Sequence, residues 1–214
     1  MLAGGDGLSS TRSHPVFARL WTLASDGVGV ERAREDLLWG LEGRGIEVGA
    51  GDGRGFKHYP LGVTELVAVE PEPYLRRRAE LAAVRAPVPV TVLAGTAERL
   101  PPVVGELDFA VTSLVLCSVG DQSQALAELR RVLRPGGELR FFEHVVADGV
   151  PVRQVQGLLD RSGLWPRLAA GCHLSRDTLG AITGAGFRIQ SVHAAALGAL
   201  ARPVPFLVGR ALAP

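Results

Sequence analysis

The sequence predicts an α/β fold: a single-domain, Rossmann-like, doubly wound sheet, mostly parallel with an antiparallel edge. Three observations carry the prediction. Short apolar runs alternate with helical patterns from residue 45 to residue 145. The first run, "GIEV", opens into a loop with glycine at 49, 51 and 53. After Val145 that rhythm stops, and two late strand-like segments read as antiparallel additions at the sheet edge.

Each element has its own signal. Residues 1–12 are small, polar and glycine-rich, and read as a disordered N-terminus. Residues 13–42 hold two helical patterns. Phe17, Leu20, Trp21 and Ala24 share one face of the first, and Ala33, Leu37, Leu38 and Leu41 one face of the second. Residues 43–145 form the βα core: strands near 45–48, 65–70, 90–95, 108–115 and 138–145, with helices over 72–84 and 122–133. "RPGG" (134–137) is expected to stop the second of these helices. In residues 146–214 a helix runs to about Arg161, "GLWPRL" reads as a turn, and Ser175 is the expected N-cap of a helix over 176–183. Strands near 187–194 and 204–210 complete the chain.

Composition narrows the function. With 214 residues, 23 basic and 22 acidic side chains, the chain lacks the basic surplus of a nucleic-acid binder. The run Arg76-Arg77-Arg78 falls within a helical pattern and reads as a solvated face. Cys117 and Cys172 form neither a metal-type pair nor a disulfide framework, which suits a reducing, cytoplasmic setting, and no metal is expected. No apolar run reaches the ~20 residues of a membrane span, so no integral membrane association is expected.

The glycine loop allows three readings. A nicotinamide loop (GxGxxG) would place its third glycine at 54, where this chain has Arg54. A structural tight turn is the second. The third starts from Glu47 at the loop entry, which would repel a pyrophosphate but suits a cationic amino-acid head. Glu70, ending the second strand about 20 residues on, stands where ribose hydroxyls are received in such sheets. "GTAERLP" (95–101) offers backbone N–H groups and the acid Glu98 to an adenine edge, and "DFAVTSLVLCSV" (108–119) could floor the ligand.

The ordered set Glu47-x-Gly49-x-Gly51-x-Gly53, Glu70, Thr96-Ala97-Glu98, Asp108 and Arg134-Pro135-Gly136-Gly137 resembles the class I S-adenosylmethionine-dependent methyltransferases over residues 43 to 145. Within them, "FKHYPLGVTELVAVEPEPYL", "SLVLCSV", "VLRPGGELRFFEHV" and "GCHLSRDTL" are similar to the methyltransferase-like-seven group, which are thiol S-methyltransferases. The chain also has the general look of quinone-precursor C-methyltransferases. The animal members carry an N-terminal hydrophobic anchor, which is not expected here, and the chain departs from them in Arg54-Gly55, where an Asn before the Phe is expected.

The resemblance implies S-adenosyl-L-methionine as cofactor, held by Glu47, Gly49, Ala50, Gly51, Gly53, Glu70, Pro71, Thr96, Ala97, Glu98 and Ser113. By position, the helix of Phe17 and Trp21 would cap the cofactor and close the acceptor pocket, with Glu143 beside it. His144, and after it His173, are the candidate general bases. The implied acceptor is a small, largely apolar molecule, a thiol first and a phenol or quinone precursor second.

Overall fold

The computed structural model describes residues 28–102, 106–169, 171–195 and 205–214. Phe17 and Trp21, with the first expected helix, lie outside the described residues. Strands β1 (Gly43–Val48), β2 (Val63–Val69), β3 (Val90–Leu93), β4 (Leu107–Ser113) and β5 (Leu133–His144) pair in parallel. The hairpin of β6 (Arg188–Ala194) and β7 (Phe206–Leu212) adds antiparallel pairs, giving the order β3-β2-β1-β4-β5-β7-β6. The last strand therefore enters between β5 and β6, so that β6, largely exposed, is the antiparallel edge and β3 the parallel one.

Both faces of the sheet are covered, which is why its central strands read as continuous apolar runs. One face packs Ile46, Val48, Val67 and Val69 against Leu126, Leu129, Ile182 and Phe187. The other packs Leu66, Phe109 and Phe142 against Leu37, Leu38, Phe56 and Tyr59. The covering helices are α1 (Val28–Leu38), α2 (Pro73–Ala83), α3 (Gln122–Val132) and α6 (Thr178–Gly184), with α4 (Val150–Arg161) and α5 (Leu164–Leu168) following β5. Among the described residues no helix is long and apolar enough to cross a membrane.

Local chemistry explains where these helices begin. The side chains of Glu72 and Asp121 accept the Leu75 and Gln124 amides at the starts of α2 and α3, and Pro73 fits the first turn of α2. At α6 the expected cap was wrong. Asp177 takes the Gly180 amide (2.8 Å), a carboxylate being the better acceptor at a positive helix end. Ser175 is drawn away, its amide donating to Asp160 at 2.8 Å beside that of Leu174 at 2.9 Å. The expected turn at "GLWPRL" is the short helix α5. "RPGG" does not end α3 so much as begin β5, as an excursion between the pairings Leu107–Leu133 and Phe109–Glu138, with Gly136 at φ 72°.

The run Arg76-Arg77-Arg78 is more than a solvated face. Arg76 donates to the carbonyls of Glu70 (3.1 Å) and Pro71 (3.2 Å), fixing the segment that leaves β2. At the opposite end of the strands, Asp108 accepts the Arg44 amide and the Arg134 guanidinium, both at 2.8 Å, and so ties β1, β4 and β5 together.

Two glycines let aromatic rings lie across the sheet. Gly45 pairs with Phe109 and Gly209 with Phe141, and a Cβ on either would stand 2.1 Å or 2.2 Å from the partner ring. Phe109 is 1% exposed and has no room to retreat. Gly45→Ala should therefore destabilise the fold by about 1–3 kcal/mol through overpacking. Urea denaturation with unchanged stability would show that the ring can move.

Candidate cofactor and acceptor site

The strand order reverses between β1 and β4, so their C-terminal ends diverge into a crevice, the usual ligand position in an open α/β sheet. The loop leaving β1 lines it. Gly49, Gly51 and Gly53 all have left-handed φ (71°, 59° and 78°). Such values favour glycine. A Cβ on Gly49 would press on Val115 at 2.4 Å, and one on Gly53 on Phe56 at 2.7 Å, so both are packing glycines. Gly51 is different, because a Cβ there would meet nothing within 4 Å. Its open side faces space in which a ligand can come close to the backbone.

Glu70 reaches this loop from the end of β2. Its carboxylate accepts the amides of Gly51 (2.8 Å) and Glu72 (2.9 Å), while the Gly49 and Ala50 amides donate to the Val69 carbonyl at 2.8 Å and 3.1 Å. The end of β2 thus moulds the loop. Glu70 is buried, and desolvation pushes its carboxyl up to about 7 against the pull of those two amides. Pro71 follows, its carbonyl held by Arg76.

Glu47, the last residue but one of β1, is also buried, and burial pushes it up to about 7. The Tyr59 hydroxyl donates to it at 3.0 Å, reaching back from the end of a 3-10 turn over Arg54–His58. His58, which ends this turn, ties it to α1, with Nε2 2.9 Å from Glu31 Oε2.

After β3, Thr96 and Arg99 form an isolated bridge that turns the chain, with Ala97 buried between them. Glu98 Oε1 accepts the Gly120 amide at 2.8 Å, so this acid joins the loop after β3 to the one after β4. Ser113 ends β4, and Leu114 follows at φ 60°, a strained value for a branched side chain. Its amide donates to the Phe142 carbonyl at 2.7 Å, which holds the strain in place.

The acceptor side needs two corrections. Glu143 was expected to line the pocket, but it is fully buried. Its carboxylate accepts the amides of Val115 (3.1 Å), Leu116 (3.1 Å) and Cys117 (3.2 Å). It shapes the turn after β4, and burial raises its pKa. His144 was expected as a base open to the acceptor. It is 2% exposed, with its ring edge-on to Phe206 at 5.4 Å, because the two residues pair across β5 and β7. His173 is half-buried, and its amide donates to the Cys117 carbonyl at 2.8 Å. Sequence reasoning missed what this bond brings together: Cys172 interacts with Cys117, His144 and Trp165. The signal was present in "LCSV" and "GCH", but nothing in their spacing announces contact. Among the described residues, no group of three or more His, Cys, Asp or Glu could hold a metal ion.

Residues 46–141 match the family described as a methyltransferase domain. Human thiol S-methyltransferase TMT1A is 34% identical over 165 residues, covering 74% of this chain and 66% of that protein. The chain belongs to the S-adenosylmethionine-dependent methyltransferases. Mouse thiol S-methyltransferase TMT1B is 34% identical over 136 residues, covering 62% of this chain. The chain spans 66% of the length of the human relative and 55% of the mouse one. Among solved structures, a SAM-dependent methyltransferase of Thermotoga maritima, described as a possible histamine N-methyltransferase, superposes with a TM-score of 0.64. It is 25% identical and covers 93% of this chain and 98% of its own.

Two of the buried carboxylates of the methyltransferase, Glu47 and Glu70, make its stability depend on pH. Burial raises Glu47 and Glu70 to about 7 in the folded protein, against 4.5 for a solvated glutamate. Between those values the folded state holds protons that the unfolded chain has lost, so stability falls as pH rises from about 4.5 to about 7. The ligand-free melting temperature should drop across this window, and Glu47→Gln should flatten part of the slope. Identical pH profiles for variant and wild type in differential scanning fluorimetry would contradict this assignment.

Proposed function

We propose that the chain transfers the methyl group of S-adenosyl-L-methionine to a small, largely apolar acceptor, and that the acceptor is a thiol. The observation that carries the cofactor reading is the crevice itself: open space over Gly51, flanked by the buried carboxylates of Glu47 and Glu70. Those residues fit the cofactor chemically. Glu70 retains lone pairs for ribose hydroxyls beside its two amides, and Glu47 is an anion-in-waiting for an ammonium. Gly49, Ala50, Gly51, Gly53 and Pro71 would hold the ligand along the backbone, and Thr96, Ala97, Glu98 and Ser113 would surround the adenine end.

When bound, S-adenosylmethionine supplies a methyl group already activated on a sulfonium. What remains for the protein is to orient the acceptor and exclude water. A thiol needs little proton chemistry, since its unperturbed pKa of ~8.5 leaves a thiolate fraction near neutral pH. That agrees with the structure of the acceptor side, where Glu143 is committed to three amides and His144 is buried behind Phe206. The similarity to thiol S-methyltransferases over 74% of the chain supports the same acceptor class. The domain reading is a core over 43–145, an N-terminal cap and a C-terminal acceptor side over 146–214. Phe17 and Trp21 are proposed to close the pocket.

Binding tests the cofactor site. S-adenosylhomocysteine should raise the melting temperature, and NAD should not. Glu70→Ala should weaken S-adenosylmethionine binding about 10- to 150-fold. Gly51→Val should abolish it by filling the open side and straining φ. Wild-type affinity in both variants by calorimetric titration would sink the assignment.

Turnover tests the acceptor. With labelled cofactor, alkyl and aryl thiols should be methylated at rates that climb with pH until the bound thiol is ionised. Turnover of a phenol or quinone precursor with no thiol turned over would leave methyl transfer standing and remove the thiol.

A further inference from the structure

Cys117 and Cys172 lie far apart in sequence and meet where the turn after β4 touches the segment between α5 and α6. Three contacts fix the meeting. The amide after Cys172 donates to the Cys117 carbonyl at 2.8 Å, and Arg176 donates to the Leu116 carbonyl at 2.9 Å. Gly171, at φ 89°, approaches Ser118 so closely that a Cβ would stand 2.9 Å from its carbonyl oxygen. The two Cys side chains therefore leave neighbouring backbone positions, and their thiols interact.

The surroundings of the pair are unequal. Cys117 is buried, while Cys172 is only half-buried. Around Cys172 stand two polar groups with no hydrogen bond of regular geometry: the His144 ring nitrogens and Trp165 Nε1, all buried. The indole N–H can only donate, and the imidazole has an N–H to offer, so an anion on this sulfur would satisfy both. Donation from Cys117, with help from His144 and Trp165, brings the Cys172 thiol down to about 5. The same contact, with burial, pushes Cys117 well up. The two thiols are thus pushed apart in acidity, Cys172 toward the thiolate and Cys117 toward the protonated form.

We propose that Cys172 is a nucleophilic modification site for hydroperoxides, and that Cys117 resolves the product to an intramolecular disulfide. The Cys172 sulfur attacks the terminal peroxide oxygen; the O–O bond breaks, a sulfenic acid forms, and the alkoxide or hydroxide leaves and takes up a proton. The Cys117 sulfur then attacks the sulfenic sulfur; the S–S bond forms, the S–O bond breaks, and the Cys117 proton leaves with the hydroxyl as water. The sulfur pair loses two electrons and the peroxide gains them. A low-pKa, accessible thiol beside a resolving partner is the arrangement that makes such oxidation selective. The assignment holds whatever the methyl acceptor is.

The test uses the full-length reduced protein and hydrogen peroxide. Intact mass should fall by two hydrogens, both free thiols should disappear, and peptide mapping should join Cys117 to Cys172, all reversed by dithiothreitol. In Cys117→Ser the oxidation should stop at a sulfenic acid on residue 172 that dimedone captures. In Cys172→Ser, residue 117 should stay reduced over the same time. A measurement on the wild type alone guards against misfolded variants: alkylation of Cys172 by iodoacetamide should reach half its limiting rate far below the ~8.5 of a free thiol. Free thiols persisting after peroxide, over-oxidation without a cross-link, or an alkylation midpoint at the free-thiol value would each overturn the proposal.

Discussion

The carboxylate of Glu143 organises one whole end of the sheet. It is fully buried on β5 and takes three consecutive amides, from Val115 to Cys117, that would otherwise have no partner as the chain leaves β4. An unpaired buried amide costs roughly 1–3 kcal/mol, so one side chain satisfies what would be a severe local defect. The carbonyls of the same turn then point outward and are used in their turn. Leu116 accepts Arg176 and Gln122, and Cys117 accepts the His173 amide. On its other flank Val115 packs over Gly49, which fixes the entry of the glycine loop. The crevice lined by the glycine loop and the segment carrying Cys172 and His173 are both anchored on this turn.

Much of the fold could be read from periodicity because the sheet is covered on both faces, which leaves apolar runs such as 63–69 and 107–113 unmistakable. What could not be read was decided by side chains competing for the same backbone groups. Ser175 is a sound cap by residue type, yet Asp160 binds it and Asp177 caps instead. Glu143 and His144 looked like acceptor-side chemistry because they end a central strand. Only the turn packed above Glu143, and Phe206 across from His144, show that both are enclosed. The meeting of Cys117 with Cys172 depends on Gly171 and Arg176, whose roles have no pattern in the sequence.

The resemblance to methyltransferases combined two kinds of residue. Asp108 and the "RPGG" excursion lie at the far end of the strands from the crevice, where Asp108 joins β1, β4 and β5 through Arg44 and Arg134. They mark the fold. Gly49, Gly51, Gly53 and Glu70 mark the crevice, and even there Gly49 and Gly53 are explained by packing on Val115 and Phe56. Of the three loop glycines, Gly51 is the one whose lack of a side chain has no internal explanation beyond its φ.

Three buried carboxylates in one crevice region demand separate accounts, and their partners supply them. A carboxylate offers about four acceptor sites. Glu143 uses three of them on backbone amides and so has little left for a ligand. Glu70 accepts two amides, both from the segments that frame the crevice. Glu47 accepts the Tyr59 hydroxyl and is otherwise held in a costly, desolvated state. Desolvation is the largest influence on all three, but only Glu47 and Glu70 retain substantial unused acceptor capacity. Burying acids with that capacity unused is expensive in the ligand-free protein. A ligand that brings hydroxyls to Glu70 and a positive charge to Glu47 would remove that expense, which is the physical argument behind the proposed cofactor site.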